Sequence, residues 1–457
     1  MFDYHTIVIG AGPAGTSCAM ELGKAGKRVA LIEKDAVGGV CLNRGCISSK
    51  TYLYLVEILE NIKKAKRFGI EVGEPKVIWE EVKKRKDLNV KMLGLGLKKT
   101  LGSHNVEIIQ GKGTLTGTRE VTVESAKGEK KITADNIVVA VGTSSLFLPI
   151  MPKGEHVISS TEILDLAEIP KSLAIIGGGV TGVEMATVFS GLGSEVVMIE
   201  KMTALLPGID REIAAILKKS LEKKGCQIYL GAEVLSCQDG EGGADIVYQI
   251  NEEKKQMHTT KALVVIGRAV NYDLNEFERL GIKHDGRRVI LNDNLQTSIS
   301  HIYFIGDGAF RNLTAYGAEY EGEAVAQIIL GKQRSIHYEH IPVTIFSHPE
   351  VGQIGITEEH AQERWIDYEV RRSSYASNAK AIIMGEREGM VKMIIDKATQ
   401  KVLGVHVIGV HATDLIHQAF LPVVQGMTIE EWLGLVWSHP ALSEVIKNAL
   451  ENDQQSI

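Results

Sequence analysis

The sequence has no apolar run as long as the roughly 18 residues of a membrane-spanning helix. It also lacks an excess of basic residues: the net charge is −6 and the isoelectric point lies near 6.2, so neither nucleic acid nor an anionic membrane surface is an expected partner. Only 5 of the 457 residues are cysteine, too few for an extracellular disulfide scaffold. No basic segment precedes the first β-branched run, so we predict no signal peptide and a cytoplasmic location.

What the sequence does contain is a glycine-rich turn of the kind that holds dinucleotides. The stretch TIVIGAGPAG places Gly10, Gly12 and Gly15 at GxGxxG spacing between a β-branched run and a helical pattern. Such glycines let the backbone approach a pyrophosphate, whose charge the helix N-terminus favours. The next strand ends at Glu33, which can accept hydrogen bonds from ribose hydroxyls. A lone GxGxxG is weak evidence, but the complete strand–turn–helix–strand–acid order predicts a dinucleotide site.

The same unit occurs a second time. The stretch LAIIGGGVTG places Gly177, Gly179 and Gly182 at the same spacing, and in both units the acid, here Glu200, comes 23 residues after the first glycine. Two units with the same spacing predict two nucleotide sites. A flavin and a nicotinamide cofactor are the natural pair, because both contain adenosine diphosphate. The Glu200 carboxylate should repel a 2′-phosphate, which favours NAD over NADP, although the adjacent Lys201 weakens this preference.

The remaining segments carry weaker signals. Short strands with glycine turns are predicted in residues 106–139 and again in residues 226–266, which indicates that the two halves share one architecture. The stretch HIYFIGD places Asp307 at a strand end, where it is either a ligand for hydroxyl groups or the N-cap of a helix from about Ala318. From residue 341 onward, strands and helices without a phosphate loop are typical of an interaction domain.

Two cysteines lie close together in GGVCLNRGCISSK. Cys41 and Cys46 are separated by four residues and precede an apolar-periodic run, residues 52–62, that predicts a helix. The positive end of that helix favours a thiolate, and cysteines in such positions have pKa values of roughly 3.5–7.5. A dithiol that cycles between reduced and oxidised states is the favoured interpretation; two structural cysteines or half of a zinc site are the alternatives, although the sequence has no second cysteine pair. The other cysteines are predicted to pack in the core: Cys18, Cys226 and Cys237.

A second candidate for catalysis lies near the end of the chain, in SHPALSE. His439 precedes Pro440, which fixes the local turn, and Glu444 follows on the helix that Pro440 is expected to open. Glu444 can hold one imidazole nitrogen and leave the other to act as a base or an acid. A histidine before proline is more often a turn residue, but thiol–disulfide exchange needs a base, so the cysteine pair favours the catalytic interpretation.

Taken in order, these motifs resemble the flavoprotein disulfide reductases, and the similarity spans nearly all of the chain, including FSHPEVGQIGITEE at residues 346–359. The resemblance implies an α/β fold with two Rossmann-like nucleotide-binding domains, a central domain that completes the FAD site and an α+β dimerisation domain. The implied bounds are 1–145 for the FAD-binding domain, 146–271 for the NAD-binding domain, 272–340 for the central domain and 341–457 for the interface of a homodimer.

The resemblance also implies roles for the catalytic residues. Cys46 would be the thiol nearest the flavin, and Cys41 would be the thiol that exchanges with substrate. His439, oriented by Glu444, would act on the dithiol of the other subunit.

Further residues would hold the cofactors. Lys50 would pair with Glu184 beside the flavin ring. The residues implied to line FAD are Gly10, Gly12, Gly15, Glu33, Gly38, Gly39, Val40, Cys41, Lys50, Gly113, Ala140, Val141, Gly142, Gly306, Asp307 and Ala315. Those implied to line NAD are Gly177, Gly178, Gly179, Val180, Gly182, Glu200, Val234 and Gly267. Three positions depart from the family pattern without removing a catalytic group: Ser48 replaces a usual proline, Val141 a threonine and Tyr316 a histidine.

The implied activity is oxidation of a protein-bound dihydrolipoyl group with NAD⁺ through the disulfide and FAD. The implied partner is the lipoyl domain of a 2-oxo acid dehydrogenase or glycine-cleavage complex, and no metal is predicted. The alternatives are a reductase of another disulfide, of the glutathione or mercuric type, a transhydrogenase, and a non-catalytic nucleotide-binding subunit. Glu200 argues against the glutathione type, and the absence of any cysteine after Cys237 argues against the mercuric type. The paired cysteines argue against a transhydrogenase, and the intact set of Cys41, Cys46 and His439 argues against a non-catalytic subunit.

Overall fold

The computed structural model describes residues 1–452, which contain 22 β-strands and 14 α-helices. The strands are β1 (Tyr4–Ile9), β2 (Val29–Glu33), β3 (Val106–Gln110), β4 (Lys112–Gly117), β5 (Glu120–Ser125), β6 (Gly128–Val139), β7 (Thr143–Ser145), β8 (Val157–Ile158), β9 (Ser172–Ile176), β10 (Glu195–Glu200), β11 (Gln227–Leu230), β12 (Glu233–Gly240), β13 (Gly243–Ile250), β14 (Glu253–Thr259), β15 (Lys261–Val264), β16 (Arg268–Val270), β17 (Ile302–Phe304), β18 (Val343–Ile345), β19 (Glu350–Gly355), β20 (Tyr368–Ser374), β21 (Met390–Asp396) and β22 (Val402–Gly409). The helices are α1 (Pro13–Lys24), α2 (Gly39–Arg44), α3 (Cys46–Lys64), α4 (Trp79–Gly102), α5 (Val180–Gly191), α6 (Arg211–Lys223), α7 (Leu274–Arg279), α8 (Ala315–Ile329), α9 (Glu358–Glu363), α10 (Ala379–Met384), α11 (Ala412–Leu415), α12 (Phe420–Gln425), α13 (Ile429–Leu433) and α14 (Glu444–Glu451).

The described chain divides into two units. The first unit contains Met1–Thr51, Glu80–Leu146 and Gly267–Tyr338. The second contains Tyr52–Trp79, Phe147–Ile266 and the chain from Glu339 onward. Residues 453–457, the end of the predicted interface domain, lie outside the described residues.

The first unit is built on a sheet with the strand order β3-β2-β1-β6-β5-β4, and β17 pairs with β6. The strands β3, β2, β1, β6 and β17 run parallel, whereas β5 and β4 complete an antiparallel meander. The central strands are continuous apolar runs because helices or loops cover both faces of a parallel sheet. The helices α1 and α8 pack together, with the Ser17 hydroxyl donating to the Glu319 carbonyl at 3.0 Å.

The second unit repeats this arrangement in its middle part. A parallel sheet has the order β11-β10-β9-β15-β8, and an antiparallel meander is formed by β12, β13 and β14. As β1 leads to Gly10 and α1, so β9 leads to Gly177 and α5. The architecture that the sequence predicts twice is therefore present twice among the described residues.

The last part of the chain forms a different layer within the second unit. Its antiparallel sheet has the order β18-β19-β22-β21-β20. The amphipathic helix α14 buries Ile446 and Leu450 in a core that also contains Trp432 and strand residues such as Val405. This layer of one sheet and its helices has the α+β fold class that is predicted for the interface domain.

A buried ion cluster joins this sheet to α6. The side chain of Lys392 on β21 is 2% exposed, and its Nζ lies 2.9 Å from Asp210 Oδ2, 3.1 Å from Glu212 Oε2 and 2.6 Å from Glu358 Oε2. Burial disfavours the ammonium, but the carboxylates outweigh it, so the pKa of Lys392 is raised. Asp210 also caps α6 by accepting hydrogen bonds from the backbone N–H groups of Glu212 and Ile213.

Three local expectations differ from the structure. The helix predicted over residues 52–62 begins earlier, at Cys46, directly after Gly45, whose non-helical backbone (φ −148°, ψ −110°) separates α2 from α3. Asp307 does not cap α8: the N-cap is Thr314, whose hydroxyl accepts from Gly317 N. The last helix, α14, begins at Glu444 rather than at Pro440. None of the described helices is long and apolar enough to cross a membrane, in agreement with the absence of a long apolar run in the sequence.

Candidate active site

The two glycine-rich turns are built in the same way. In the first, Glu33 accepts hydrogen bonds from the backbone N–H groups of Ala11 and Asp35, both at 2.8 Å. In the second, Glu200 accepts from Gly178 N at 2.5 Å and from Met202 N at 2.6 Å. Each carboxylate therefore points back to the turn that follows the first strand, which is where a nucleotide ribose would lie in a dinucleotide-binding unit.

Glycine is required at the first position of each turn. Gly10 has φ +106° and Gly177 has φ +115°, and a Cβ atom would lie 2.3 Å from the Ala140 carbonyl oxygen at Gly10 and 2.5 Å from the Val265 carbonyl oxygen at Gly177. Both clashes are with backbone, so neither can relax cheaply.

The helix N-termini behind these turns fit a pyrophosphate. The N-cap residues are Gly12 for α1 and Gly179 for α5, and neither contributes a side-chain oxygen to the first-turn N–H groups. A Cβ atom at Gly179 would meet nothing within 4 Å, and at Gly12 only Gly39 Cα at 4.0 Å, so both turns have room for a ligand. Backbone N–H groups and the helix dipole favour a phosphate there. The residues present therefore fit the adenosine diphosphate halves of FAD and NAD.

The first unit brings other predicted FAD residues to the same edge of its sheet. Asp307 accepts a hydrogen bond from the Thr143 hydroxyl at 2.9 Å and lies 3.6 Å from Arg268 Nε. Gly306, directly before it, would place a Cβ atom 2.9 Å from Ala14 Cβ on α1. The structure also places in this unit Gly38, Gly39, Val40, Gly113, Val141, Gly142 and Ala315, and it places Val180, Gly182 and Val234 in the second unit. Gly267 belongs to the first unit, next to Arg268.

The cysteine pair is close enough to form a disulfide. Cys41 lies in the short helix α2, and Cys46 is the first residue of α3. Cys41 Sγ donates a hydrogen bond to Cys46 Sγ at a sulfur–sulfur distance of 2.6 Å, against about 2.05 Å in a disulfide bond. The pair can therefore be oxidised with little change in the backbone.

The expectation of a lowered pKa does not hold for Cys41. The hydrogen bond to Cys46 and burial both raise the pKa of the Cys41 thiol, and Lys50 opposes them. The reason is that the two sulfur atoms lie so close together that negative charge on Cys46 disfavours a second thiolate at Cys41.

His439 and Glu444 form a hydrogen-bonded pair. The imidazole Nδ1 lies 3.0 Å from Oε1 and 3.2 Å from Oε2 of Glu444, which also accepts from Ala441 N at 2.9 Å. The Ala441 N–H, followed by His439, lowers the pKa of Glu444, so this carboxylate remains ionised. The His439 side chain is 71% exposed, and the hydrogen bond at Nδ1 leaves Nε2 as the nitrogen that can exchange a proton with a ligand.

Lys50 and Glu184 lie in different units. Lys50 is on α3, one turn after Cys46. Glu184 is buried on α5, and its Oε1 accepts a hydrogen bond from Phe346 N at 3.2 Å. Phe346 begins the segment FSHPEVGQIGITEE, residues 346–359, which is part of the resemblance to the flavoprotein disulfide reductases.

A comparison with known families identifies this architecture. The protein-family model described as pyridine nucleotide-disulphide oxidoreductase matches residues 4–322, and the model of its dimerisation domain matches residues 341–450. The chain belongs to the pyridine nucleotide-disulphide oxidoreductase family. The dimerisation-domain match supports the predicted homodimer.

Similar proteins of this family cover the whole chain. A dihydrolipoyl dehydrogenase of Geobacillus stearothermophilus is 32% identical over 98% of this chain and 96% of its own length. The mitochondrial dihydrolipoyl dehydrogenase 2 of Arabidopsis thaliana is 33% identical over 98% of this chain and 90% of its own. Among solved structures, the Cu(II) complex of the HOCl-induced flavoprotein disulfide reductase RclA from Escherichia coli has a TM-score of 0.88 at 27% identity, covering 99% of both chains. LpdA from Mycobacterium tuberculosis has a TM-score of 0.90 at 24% identity over 98% of both chains, and it shows the fold.

These matches confirm several predictions. The α/β fold class and the family are confirmed, as is an oxidoreductase that uses FAD and NAD. Cys18, Cys226 and Cys237 are buried, as the sequence predicts.

Sequence analysis missed a buried carboxyl group beside the first site. Glu321 on α8 is fully buried, and it accepts hydrogen bonds from Gly306 N at 2.5 Å and from the Tyr338 hydroxyl at 2.8 Å. A glutamate in a helix is usually exposed, so only its spacing on the buried face, three residues after Ala318, could have indicated this. Burial raises the pKa of Glu321 to about 7, although both hydrogen bonds oppose the shift.

We expect Glu321→Gln to change how stability depends on pH. A folded-state pKa above the unfolded value means that the group stabilises the fold below about pH 4.5 and that this contribution is lost as the pH rises through 7, by roughly 3 kcal/mol in total. Glutamine does not titrate, so the free energy of unfolding of the variant, relative to wild type, should rise between pH 5 and 8. Denaturant unfolding at one protein and FAD concentration measures it. A difference that is constant with pH would contradict the assignment.

Proposed function

We propose that this protein catalyses the dihydrolipoyl dehydrogenase reaction, in which a dihydrolipoyl group loses two electrons and two protons and NAD⁺ is reduced to NADH. The observation that carries the proposal is the similarity to dihydrolipoyl dehydrogenases over 98% of the chain, combined with the 2.6 Å approach of Cys41 and Cys46. A dithiol pair of this kind is what exchange with a lipoyl disulfide requires.

Each catalytic residue has a proposed task. In the oxidised enzyme, a substrate thiolate attacks Cys41 Sγ and breaks its bond to Cys46, which leaves as the thiolate. The second substrate thiol then displaces Cys41, so that the lipoyl disulfide leaves and both cysteines are reduced. His439 accepts the thiol proton at Nε2, and Glu444 holds the ring through Nδ1 and stabilises the imidazolium that forms. In this proposal His439 serves the dithiol of the other subunit of the homodimer.

The cofactors are held by the two glycine turns. The proposed FAD ligands are the residues around Gly10, Glu33 and Asp307, and the proposed NAD ligands are those around Gly177 and Glu200, as the resemblance implies. When bound, FAD would supply the acceptor for the electron pair of the dithiol, and NAD⁺ would supply the final hydride acceptor. Cys46, as the hydrogen-bond acceptor at the start of α3, suits the cysteine that carries negative charge, and Lys50 on the next turn adds a positive charge to that helix.

The partner, the cellular location and the domain bounds are also part of what we propose. The partner is the lipoyl domain of a multienzyme complex, because the substrate of the similar enzymes is a dihydrolipoyl group. The cellular location is the cytoplasm. The division into domains follows the bounds 1–145, 146–271, 272–340 and 341–457.

One observation favours a second candidate function. RclA, described as a flavoprotein disulfide reductase, matches 99% of this chain with a TM-score of 0.88. A reductase of another disulfide would use the same cysteine pair in the reverse direction.

Steady-state assays with purified enzyme test the two candidates. We expect dihydrolipoamide with NAD⁺ to give the highest kcat/KM. NADP⁺ and glutathione disulfide should be poor substrates, because the Glu200 carboxylate should repel a 2′-phosphate, and a glutathione-type enzyme would want a basic residue there. A higher kcat/KM for reduction of glutathione disulfide by NADPH would contradict the proposal. Turnover with neither pair would favour the non-catalytic alternative.

A further inference from the structure

We propose that Glu233 is a specificity-determining residue: by binding the ammonium group of Lys201, it keeps that charge from a 2′-phosphate and so reserves the second nucleotide site for NAD. The inference rests on the proposed function, because it assumes that the turn at Gly177 holds a nicotinamide dinucleotide.

The sequence around Glu200 contains an apparent conflict. Glu200 is the acid that should repel a 2′-phosphate, but Lys201, the next residue, carries the charge that would attract one. Consecutive Cα atoms are about 3.8 Å apart, and a lysine side chain is long and flexible. An unrestrained Lys201 could therefore reach a phosphate bound beside Glu200.

The structure shows where the Lys201 side chain goes. Its Nζ lies 2.7 Å from Glu233 Oε1, at the start of β12 and directly before Val234, a predicted NAD contact. The Glu200 carboxylate points elsewhere, to the backbone N–H groups of Gly178 and Met202. The two neighbouring residues thus have separate partners, one in the glycine turn and one on β12.

The backbone holds the two segments together without the ion pair. Ala232 N donates to the Glu200 carbonyl at 3.0 Å, and Gly231 N donates to the Met202 carbonyl at 2.9 Å. Residues 201 and 233 therefore face each other because of main-chain hydrogen bonds. Removing the Glu233 charge should release the lysine side chain while the surrounding loop keeps its shape.

The expected effect is small in magnitude but has a definite sign. Both side chains are exposed, 73% for Lys201 and 57% for Glu233, and exposed ion pairs are weak. At low ionic strength the Lys201 charge acts over about 10 Å or more, which covers a phosphate bound at the neighbouring residue. Releasing it should strengthen binding of a 2′-phosphate by about two- to fivefold.

A double-mutant cycle on the FAD-containing dimer tests the inference. The dissociation constants of 5′-AMP and adenosine 2′,5′-bisphosphate, which differ only in the 2′-phosphate, are measured at low salt by calorimetry. Glu233→Gln should shift the ratio of the two constants about two- to fivefold towards the bisphosphate. In a Lys201→Gln background the same substitution should shift the ratio less, since it removes only the repulsion by the Glu233 carboxylate and releases no ammonium.

A control is a partly exposed ion pair on α6, where Lys218 Nζ lies 2.5 Å from Glu222 Oε1. Glu222→Gln removes the same charge from the same unit and should not shift the ratio. An equal shift for Glu233→Gln with and without Lys201, or no shift at all, overturns the inference, while dihydrolipoamide turnover with NAD⁺ shows that the proposed function stands. If wild type binds neither nucleotide, the proposed NAD site is wrong and the inference falls with it.

Discussion

Cys41→Ser is expected to lower kcat for dihydrolipoamide oxidation by a factor on the order of 10⁴ or more, because a hydroxyl group cannot form the bond that the substrate thiolate attacks. Cys41 Sγ and Cys46 Sγ lie 2.6 Å apart and would form one disulfide together, so Cys46→Ser should have an effect of similar size. Steady-state rates with saturating NAD⁺ measure both losses.

A suitable control for the cysteine variants is Cys226→Ala. Cys226 is buried and outside the candidate site, so this variant should keep its activity. Thiol titration after unfolding adds a second measurement: wild type should lose two thiols on oxidation, and Cys41→Ser should lose none. Activity in Cys41→Ser above about 1% of wild type would show that exchange does not require this pair.

His439→Gln is expected to lower kcat/KM for dihydrolipoamide by about 10²–10⁴-fold. Glutamine keeps a similar size and polar character, but it cannot accept the thiol proton that the imidazole takes at Nε2. The protein should retain its FAD, since His439 lies far along the sequence from the glycine turns and forms its hydrogen bond with Glu444. Rates measured across pH 6–9 also distinguish a lost base from a lost contact, because only a lost base removes a titrating group from the profile.

His258 provides the matched control for this prediction. Its Nδ1 lies 2.7 Å from Asp245 Oδ1, so it is another exposed imidazole paired with a carboxylate, on the meander of the second unit. His258→Gln should have little effect on turnover. An equal loss in both variants would mean that the effect of His439→Gln is structural.

The features that sequence analysis predicted well are local and repeated. The spacing of Gly10 and Gly177 relative to Glu33 and Glu200 sets the strand–turn–helix–strand geometry within one short segment, and the structure reproduces the same backbone contacts in both copies. The hydrogen bond between His439 and Glu444 could also be predicted from the sequence, because the two residues lie in one short segment joined by a proline turn.

The features that it missed depend on residues distant in sequence. The pKa of the Cys41 thiol is raised by the contact with Cys46 and by burial, neither of which the spacing of the two cysteines determines. Glu321 is buried because Gly306 and Tyr338 supply donors from other segments. Propensity and periodicity carry no information about such partners, which become apparent only when the chain is packed.

The buried ammonium group of Lys392 makes the last sheet of the chain depend on carboxylates from an earlier segment. Two of its three counter-charges, Asp210 and Glu212, precede α6 or lie in its first turn, whereas the lysine belongs to the last sheet of the chain. A fragment that began at residue 341 would keep only Glu358 beside a cation in its core. The C-terminal layer therefore depends on the start of α6, and a fragment without that segment should be less stable than the same layer in the whole chain.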